Sequence, residues 1–109
     1  MRLLDLSPRF LKRTGDSWQQ DVERPGDSDG LIFLCPKCFE QNKGPVGTHS
    51  IICWRPHVPP DIDPKPGRWE MKGAGFADLT LVAGSSSVNL TGSCNAHFFV
   101  TNGEIRMVA

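Results

Sequence analysis

Residues 31–38 read LIFLCPKC and join a short apolar run to two cysteines that stand two residues apart. Four consecutive large apolar residues bounded by turn-forming sequence indicate a buried β-strand. Two intervening residues allow the thiolates of Cys35 and Cys38 to turn back onto a single metal ion. The stretch therefore predicts a buried strand that ends in one half of a zinc site.

A second pair of candidate ligands, Cys94 and His97, has the same spacing and directly precedes another apolar run. The 55 residues numbered 39–93 separate the two pairs, whereas a compact zinc finger or ribbon has roughly 12–20. Four protein ligands form a closed tetrahedral site, which is typical of structural zinc. We therefore predict one structural zinc ion held by Cys35, Cys38, Cys94 and His97, with strands inserted between the pairs.

Two further residues are alternative ligands. As a strand, residues 47–54 place His49 and Cys53 on the same face. The apolar neighbours of Cys53 favour a thiol in the core, and His49 is the more exposed of the two. Cys94 as a buried thiol and His97 as a hydrogen-bonded strand residue form a further alternative.

Two other kinds of site compete with zinc at Cys35 and Cys38. A redox-active CxxC pair is typical of the N-terminus of a helix that follows a strand. Residues 39–44 are too short before Pro45 to predict such a helix. A Rieske-type iron–sulfur centre needs a histidine in the first pair, where this chain has Cys38.

The remaining sequence predicts a mostly β fold of short antiparallel strands with little helix. Eleven glycines and nine prolines in 109 residues suit short strands joined by turns. We expect such strands at residues 68–72, 78–82 and 87–91. Two β-type runs flank Asn102-Gly103, the favoured pair for a type I′ turn, and residues 97–108 therefore predict a β-hairpin.

We expect a single zinc-stabilised domain over residues 1–109, because two separate cores would each be too small. Residues 1–30 are predicted to be a turn-rich N-terminal arm. In this arm a short strand leads into a helical turn that starts at Ser7-Pro8. Residues 55–67 contain five prolines, which remove backbone donors and predict an extended surface loop.

The charge balance and hydrophobicity of the chain disfavour two classes of function, DNA binding and membrane binding. Twelve basic residues balance twelve acidic ones, whereas proteins that bind DNA through its phosphates normally carry a basic excess. No run approaches the roughly 20 apolar residues that cross a bilayer, and Asp5 and Pro8 interrupt any secretory signal. We therefore expect a cytoplasmic protein that does not bind membranes, whose cysteines bind metal rather than form disulfides.

Several blocks of the sequence are similar to those of a known group of proteins. The most specific are CPKC at residues 35–38, GTHSIICW at 47–54 and CNAHFFVTNG at 94–103, with shorter ones at 66–69 and 78–81. In these blocks the chain resembles small uncharacterised zinc-ribbon-like proteins of tailed bacteriophages and bacterial prophages. The resemblance implies zinc at the two paired motifs and a bacterial host cell, and it implies no activity.

The function predicted from these observations is a protein-interaction module with a structural zinc. No HExxH motif occurs in the sequence, and no catalytic constellation is recognisable. Trp and Arg most often anchor protein interfaces, and the candidate partner-binding residues around the proline loop are Trp54, Arg55, His57, Arg68 and Trp69. Packing of both tryptophans in the core is the alternative for those two residues.

A nucleic-acid-binding zinc-ribbon-like module is the alternative function. The sequence indicates neither the partner nor the oligomeric state.

Overall fold

Short antiparallel strands make up most of the regular secondary structure in the described residues, which confirms the predicted mostly β fold. The computed structural model describes residues 1–14, 17–22, 28–59, 61–62, 68–82, 87–89 and 96–108. A four-stranded sheet has the order β2-β1-β3-β4 and consists of β1 (Arg9–Thr14), β2 (Ser17–Val22), β3 (Gly30–Leu34) and β4 (Ser50–Trp54). The apolar run at residues 31–34 therefore becomes an interior strand of this sheet.

Two smaller sheets complete the described strands. The first pairs β5 (Glu70–Lys72) with β6 (Thr80–Val82), and the second has the order β7-β8-β9, from β7 (Ser87–Asn89), β8 (His97–Thr101) and β9 (Glu104–Met107). Asn102 and Gly103 have φ of 49° and 76°, the positive values that a type I′ turn requires. The C-terminal hairpin is thus confirmed. Each stretch expected to form a short strand contains one, but β5 and β6 begin two residues later than expected, and residues 90–91 lie outside the described ranges.

Helix is limited to a 3₁₀ turn (Leu3–Leu6) and α1 (Pro36–Asn42) within the described residues. The expectation that residues 39–44 cannot support a helix was wrong, because Pro36 starts α1 one turn earlier. The order expected near the N-terminus was also wrong. The helical turn precedes β1, and Ser7 ends it in the left-handed conformation at φ 50° instead of starting it. The predicted arm contributes β1 and β2 to the sheet.

The larger hydrophobic core lies on one face of the four-stranded sheet. Phe10, Leu31 and Cys53 sit side by side on β1, β3 and β4, and each is 2% exposed or less. Phe33 meets Phe98 of β8 edge to face, with ring centroids 6.0 Å apart. Alternation along each strand therefore buries one face of this sheet against the C-terminal hairpin.

A smaller apolar cluster covers the opposite face of the same sheet. Leu11, Gly30 and Trp54 are Cα partners across β1, β3 and β4, and Val58 packs with Leu11 and Trp54. A Cβ on Gly30 would lie 2.5 Å from Cε3 of Trp54, so the indole packs directly on the backbone of β3. Both faces of the β3–β4 pair are thus covered. No helix in the described part of the chain is long and apolar enough to span a membrane.

Candidate metal centre

The antiparallel register of β3 and β4 sets Cys35 against His49. The ladder pairs Phe33 with Ile51 and Leu34 with Ser50, so the next step beyond Leu34 faces the residue before Ser50. The amide of Cys35 continues the ladder by donating to the carbonyl of His49 at 2.9 Å. Directly opposed residues of an antiparallel pair bring their Cβ atoms to within about 5.5 Å. The end of this strand pair therefore brings one thiol and one imidazole together.

The first turn of α1 adds the second thiol. Cys35 is the N-cap residue, with extended φ and ψ of −62° and 121°, and Pro36 occupies the first turn, where its missing N–H costs no hydrogen bond. The amide of Phe39 donates to the carbonyl of Cys35 at 2.9 Å and closes the turn. Residues three apart at a helix start lie on one side. Cys38 therefore returns towards Cys35.

Cys35, Cys38 and His49 form a group whose ligand atoms all lie within 4.8 Å of one another. Zinc bonds of about 2.3 Å to sulfur and about 2.0–2.1 Å to nitrogen place tetrahedral ligand atoms roughly 3.5–3.8 Å apart. Small rotations about the side-chain torsions, which move the ligand atoms by about 1 Å, would convert the observed arrangement into the tetrahedral one. The group is therefore compatible with the binding of one metal ion.

The donor set fits a soft or borderline divalent cation. Two thiolates neutralise the two charges of such an ion, and a neutral imidazole adds none, which suits a partly buried position. Cys35 is fully buried, while the other two ligands are partly open to solvent. No carboxylate belongs to the group among the described residues, which disfavours the hard cations Mg²⁺ and Ca²⁺. Sulfur and nitrogen in this proportion are typical of zinc.

The other predicted ligands stand apart from this group or outside the described residues. His97 begins β8, where Phe98 and Val100 are buried in the core and His97 and Phe99 lie on the less buried face. Alternation along β8 thus directs the imidazole of His97 away from the core that contains Cys35. Cys94 lies outside the described residues. Of the four predicted ligands, the structure brings together Cys35 and Cys38.

The two alternative ligands have different surroundings although they share a strand face. His49 joins the group, whereas Cys53 pairs with Leu31 two pleats away and is fully buried in the larger core. Burial raises the pKa of the Cys53 thiol well above its ordinary range, because a thiolate would be desolvated there. Cys53 is therefore a neutral core residue, as its apolar neighbours predict.

His49 is only an alternative ligand in the sequence, and placing it beside Cys35 requires the register between β3 and β4. Side chains two apart share a strand face, which groups residues 31, 33 and 35 and, separately, 49, 51 and 53. Pairing the two apolar sets antiparallel, Phe33 with Ile51, leaves Cys35 opposite His49. The spacing of Cys94 and His97 is a local motif that does not depend on this register.

The candidate partner-binding residues divide between core and surface. Trp54 is 1% exposed and packs in the smaller cluster, which is the alternative that the sequence left open, and Trp69 is half-buried against the larger one. Arg68 donates from its guanidinium to the carbonyls of Val58, Pro59 and Ile62 at 2.6–3.1 Å. It therefore holds the described part of the proline loop in place.

Arg55 and His57 lie beside the chain that leads into β3. Nε of Arg55 donates to Oγ of Ser28 at 3.4 Å, and Nε2 of His57 lies 2.7 Å from Oδ1 of Asp29. The side chain of His57 remains 58% exposed. Of the five candidates, His57 is the most exposed to solvent.

Comparisons with protein-family models, with curated proteins and with solved structures found no match to the chain. The functional argument therefore depends on the geometry of the site and on the sequence pattern.

Proposed function

We propose that this protein binds one zinc ion through Cys35, Cys38, His49 and Cys94, and that the ion stabilises a protein-interaction module. The observation that carries the proposal is the group of two thiols and one imidazole whose ligand atoms lie within 4.8 Å of one another. Each of these three residues comes from a different local element: the end of β3, the first turn of α1 and the approach to β4. An ion there ties the helix to both strands.

Cys94 is proposed as the fourth ligand on the strength of the sequence pattern. A structural zinc site has four protein ligands, and three come from the described group. Ala96, two residues after Cys94, is fully buried in the same core cluster as Cys35. This position of Ala96 supports the assignment of Cys94. The phage or prophage setting implied by the sequence resemblance belongs to the same proposal.

Metal analysis of purified protein tests the ligand set, with His49→Ala and His97→Ala as a matched pair. We expect one zinc per chain in the wild type and in His97→Ala, and weakened or lost zinc in His49→Ala. Replacement of zinc by Co²⁺ reports the number of thiolates through the intensity of the sulfur-to-cobalt absorption. Cys94→Ser should lower this intensity by the contribution of one thiolate.

Three results would contradict the proposal in distinguishable ways. Absence of zinc from the wild type would remove the metal site altogether. Loss of zinc in His97→Ala with retention in His49→Ala would restore the ligand set expected from motif spacing. An unchanged cobalt spectrum in Cys94→Ser would remove only the fourth ligand, leaving a site open to water or to an exogenous ligand.

The interaction role is supported by the described part of the proline loop, residues 55–59 and 61–62. Arg68 holds three carbonyls of the loop, and a preorganised surface loses less conformational entropy on binding. The test is affinity capture from bacterial host cells, compared between wild type and His57→Ala. A specific protein captured by the first and lost with the second supports the role, and capture that is insensitive to the loop contradicts it.

A further inference from the structure

The segment between α1 and β4 must return the chain to the two cysteines within a few residues. Lys43 takes the left-handed conformation at φ 54°. Its amide donates to the carbonyl of Glu40 at 3.3 Å, and the amide of Gly44 donates to the carbonyl of Phe39 at 3.0 Å. This pair of bonds is a Schellman motif, which ends a helix and reverses the chain. The reversal starts the segment towards His49.

Thr48, the residue directly before the ligand His49, collects three hydrogen bonds from this segment. Its hydroxyl donates to the carbonyl of Gly44 at 2.8 Å and accepts from Nδ2 of Asn42 at 3.2 Å. Its amide donates to the carbonyl of Pro45 at 3.1 Å. One side chain thus connects the end of the helix to the start of the next strand.

The side chain of Asn42 lies beside Gly47 as it reaches this hydroxyl. Its φ of +78° is a conformation that favours glycine. A Cβ at this position would lie 3.4 Å from Nδ2 of Asn42, at the inner limit of ordinary contact. The amide side chain therefore lies against the backbone of Gly47 while it donates to Thr48.

We propose that Thr48 and Asn42 are positioning residues for the metal ligand His49. The inference rests on the proposed zinc site and deepens it. The hydrogen bonds hold residues 43–48 in the one conformation that places the imidazole beside the cysteines, so that binding an ion does not have to order the loop. Groups that orient a metal ligand typically change metal affinity by about 10- to 100-fold.

The expected result is a zinc dissociation constant about 10- to 100-fold higher in Thr48→Val than in the wild type, measured by competition with a chelator. Valine has nearly the shape of threonine but lacks the hydroxyl. Thr48→Ser restores the hydroxyl and should bind zinc within about 3-fold of the wild type. Thr101→Val makes the same change at an exposed position of β8 and should leave the affinity unchanged.

A double-mutant cycle with His49→Ala separates positioning from a general contribution to folding. If the hydroxyl acts through the imidazole, adding Thr48→Val to His49→Ala should change the affinity by less than about 2-fold. A full loss on that background would show that Thr48 supports the fold instead. Wild-type affinity in Thr48→Val would overturn the proposal while leaving the zinc site intact, and absence of zinc from the wild type would overturn the site itself.

If Thr48→Val binds metal more weakly than the wild type, its cobalt spectrum can also be recorded at saturating metal. The cobalt spectrum should then regain the wild-type form, because the same ligands bind once the concentration compensates for the disordered loop. A spectrum that still differs at saturation would mean that the ligand set has changed, which contradicts a purely positioning role. If Thr48→Val fails to fold, Asn42→Ala removes one of the same hydrogen bonds and should raise the dissociation constant by a smaller factor of the same sign.

Discussion

The two ends of the β3–β4 pair are closed by different physical means. At one end Cys35, Cys38 and His49 gather around a candidate ion site. At the other end the indole of Trp54 packs on Gly30, and the amide of Arg55 donates to the carbonyl of Asp29 at 2.9 Å. With the proposed ion, the first end would depend on the metal concentration of the surroundings, whereas the second depends only on the chain.

This difference indicates how a small β domain distributes its stability. Apolar burial on both faces of the sheet supports the Trp54 end without any ligand. At the other end Cys35 is buried in the core, but Cys38 and His49 are partly open to solvent. Binding of the proposed ion would add stabilising free energy at this end.

Removal of zinc should have the largest effect and should act on the metal end. An ion that binds only the folded state stabilises it by about 4 kcal/mol when its free concentration is 1,000 times the dissociation constant. Chelation should therefore lower the free energy of unfolding by about this amount, as measured by denaturant titration with and without added zinc. Hydrogen exchange should increase first in α1 and at the ends of β3 and β4 that lie next to Cys35 and His49.

The Trp54 end provides the internal control for this experiment. Backbone amides of β3 beside Trp54 should keep more of their protection after chelation than the amide of Cys35. Equal loss of protection at both ends would show that the ion stabilises the whole sheet cooperatively, and the contrast between the ends would then be wrong.

Gly30→Ala should have the next largest effect, and it acts at the other end. The new Cβ would lie 2.5 Å from Cε3 of Trp54 and 2.9 Å from the carbonyl oxygen of Cys53. Neither atom can move freely, since Trp54 is 1% exposed and the other atom is backbone. Overpacking of this kind costs about 1–3 kcal/mol. Thermal unfolding at saturating zinc measures the loss, and zinc affinity should change little; Gly75→Ala, with no atom within 4 Å of its added Cβ, is the matched control.

Acid should weaken the Trp54 end through Asp29. Burial alone would raise the pKa of Asp29, but the amide of Arg13, which donates to Oδ2 at 2.7 Å, and the ring of His57 lower it below its ordinary value. A carboxyl whose pKa is lower in the folded state stabilises the fold above about pH 4, and this contribution is lost as the pH falls through the folded-state value. We expect Asp29→Asn to be less stable than the wild type at pH 7.

The difference between these two proteins should shrink as the pH falls below about 4. Acid also releases zinc from thiolates, but this affects both proteins alike and cancels in the difference. Asp61→Asn, at an exposed position of the proline loop, should follow the wild type throughout. A difference that stays constant from pH 7 to pH 3 would mean that ionisation of Asp29 does not support this end.

The sequence predicted the features that depend on neighbouring residues. The compact apolar run identified β3, the Asn102-Gly103 pair identified the hairpin, and the CxxC spacing identified two residues of the candidate site. The choice between His49 and His97 depends on the register between strands 15 residues apart, which local patterns do not determine. The same applies to Arg68, whose role in holding the loop follows from contacts made across the fold. Long-range pairing therefore accounts for what the sequence left undecided.

The smallest expected effect lies at the metal end and increases stability. Lys43 ends α1 at φ 54°, a conformation that costs a side chain with a Cβ about 1 kcal/mol and costs glycine far less. Lys43→Gly should therefore raise the free energy of unfolding by about 0.5–1 kcal/mol. Because the same turn returns the chain towards His49, the gain should appear with zinc bound and should leave the zinc dissociation constant within about 2-fold of the wild type. Denaturant unfolding at saturating zinc measures the gain, with the exposed helical change Gln41→Ala as the control. Destabilisation by Lys43→Gly would show that the lysine side chain contributes more to this end than its backbone strain costs.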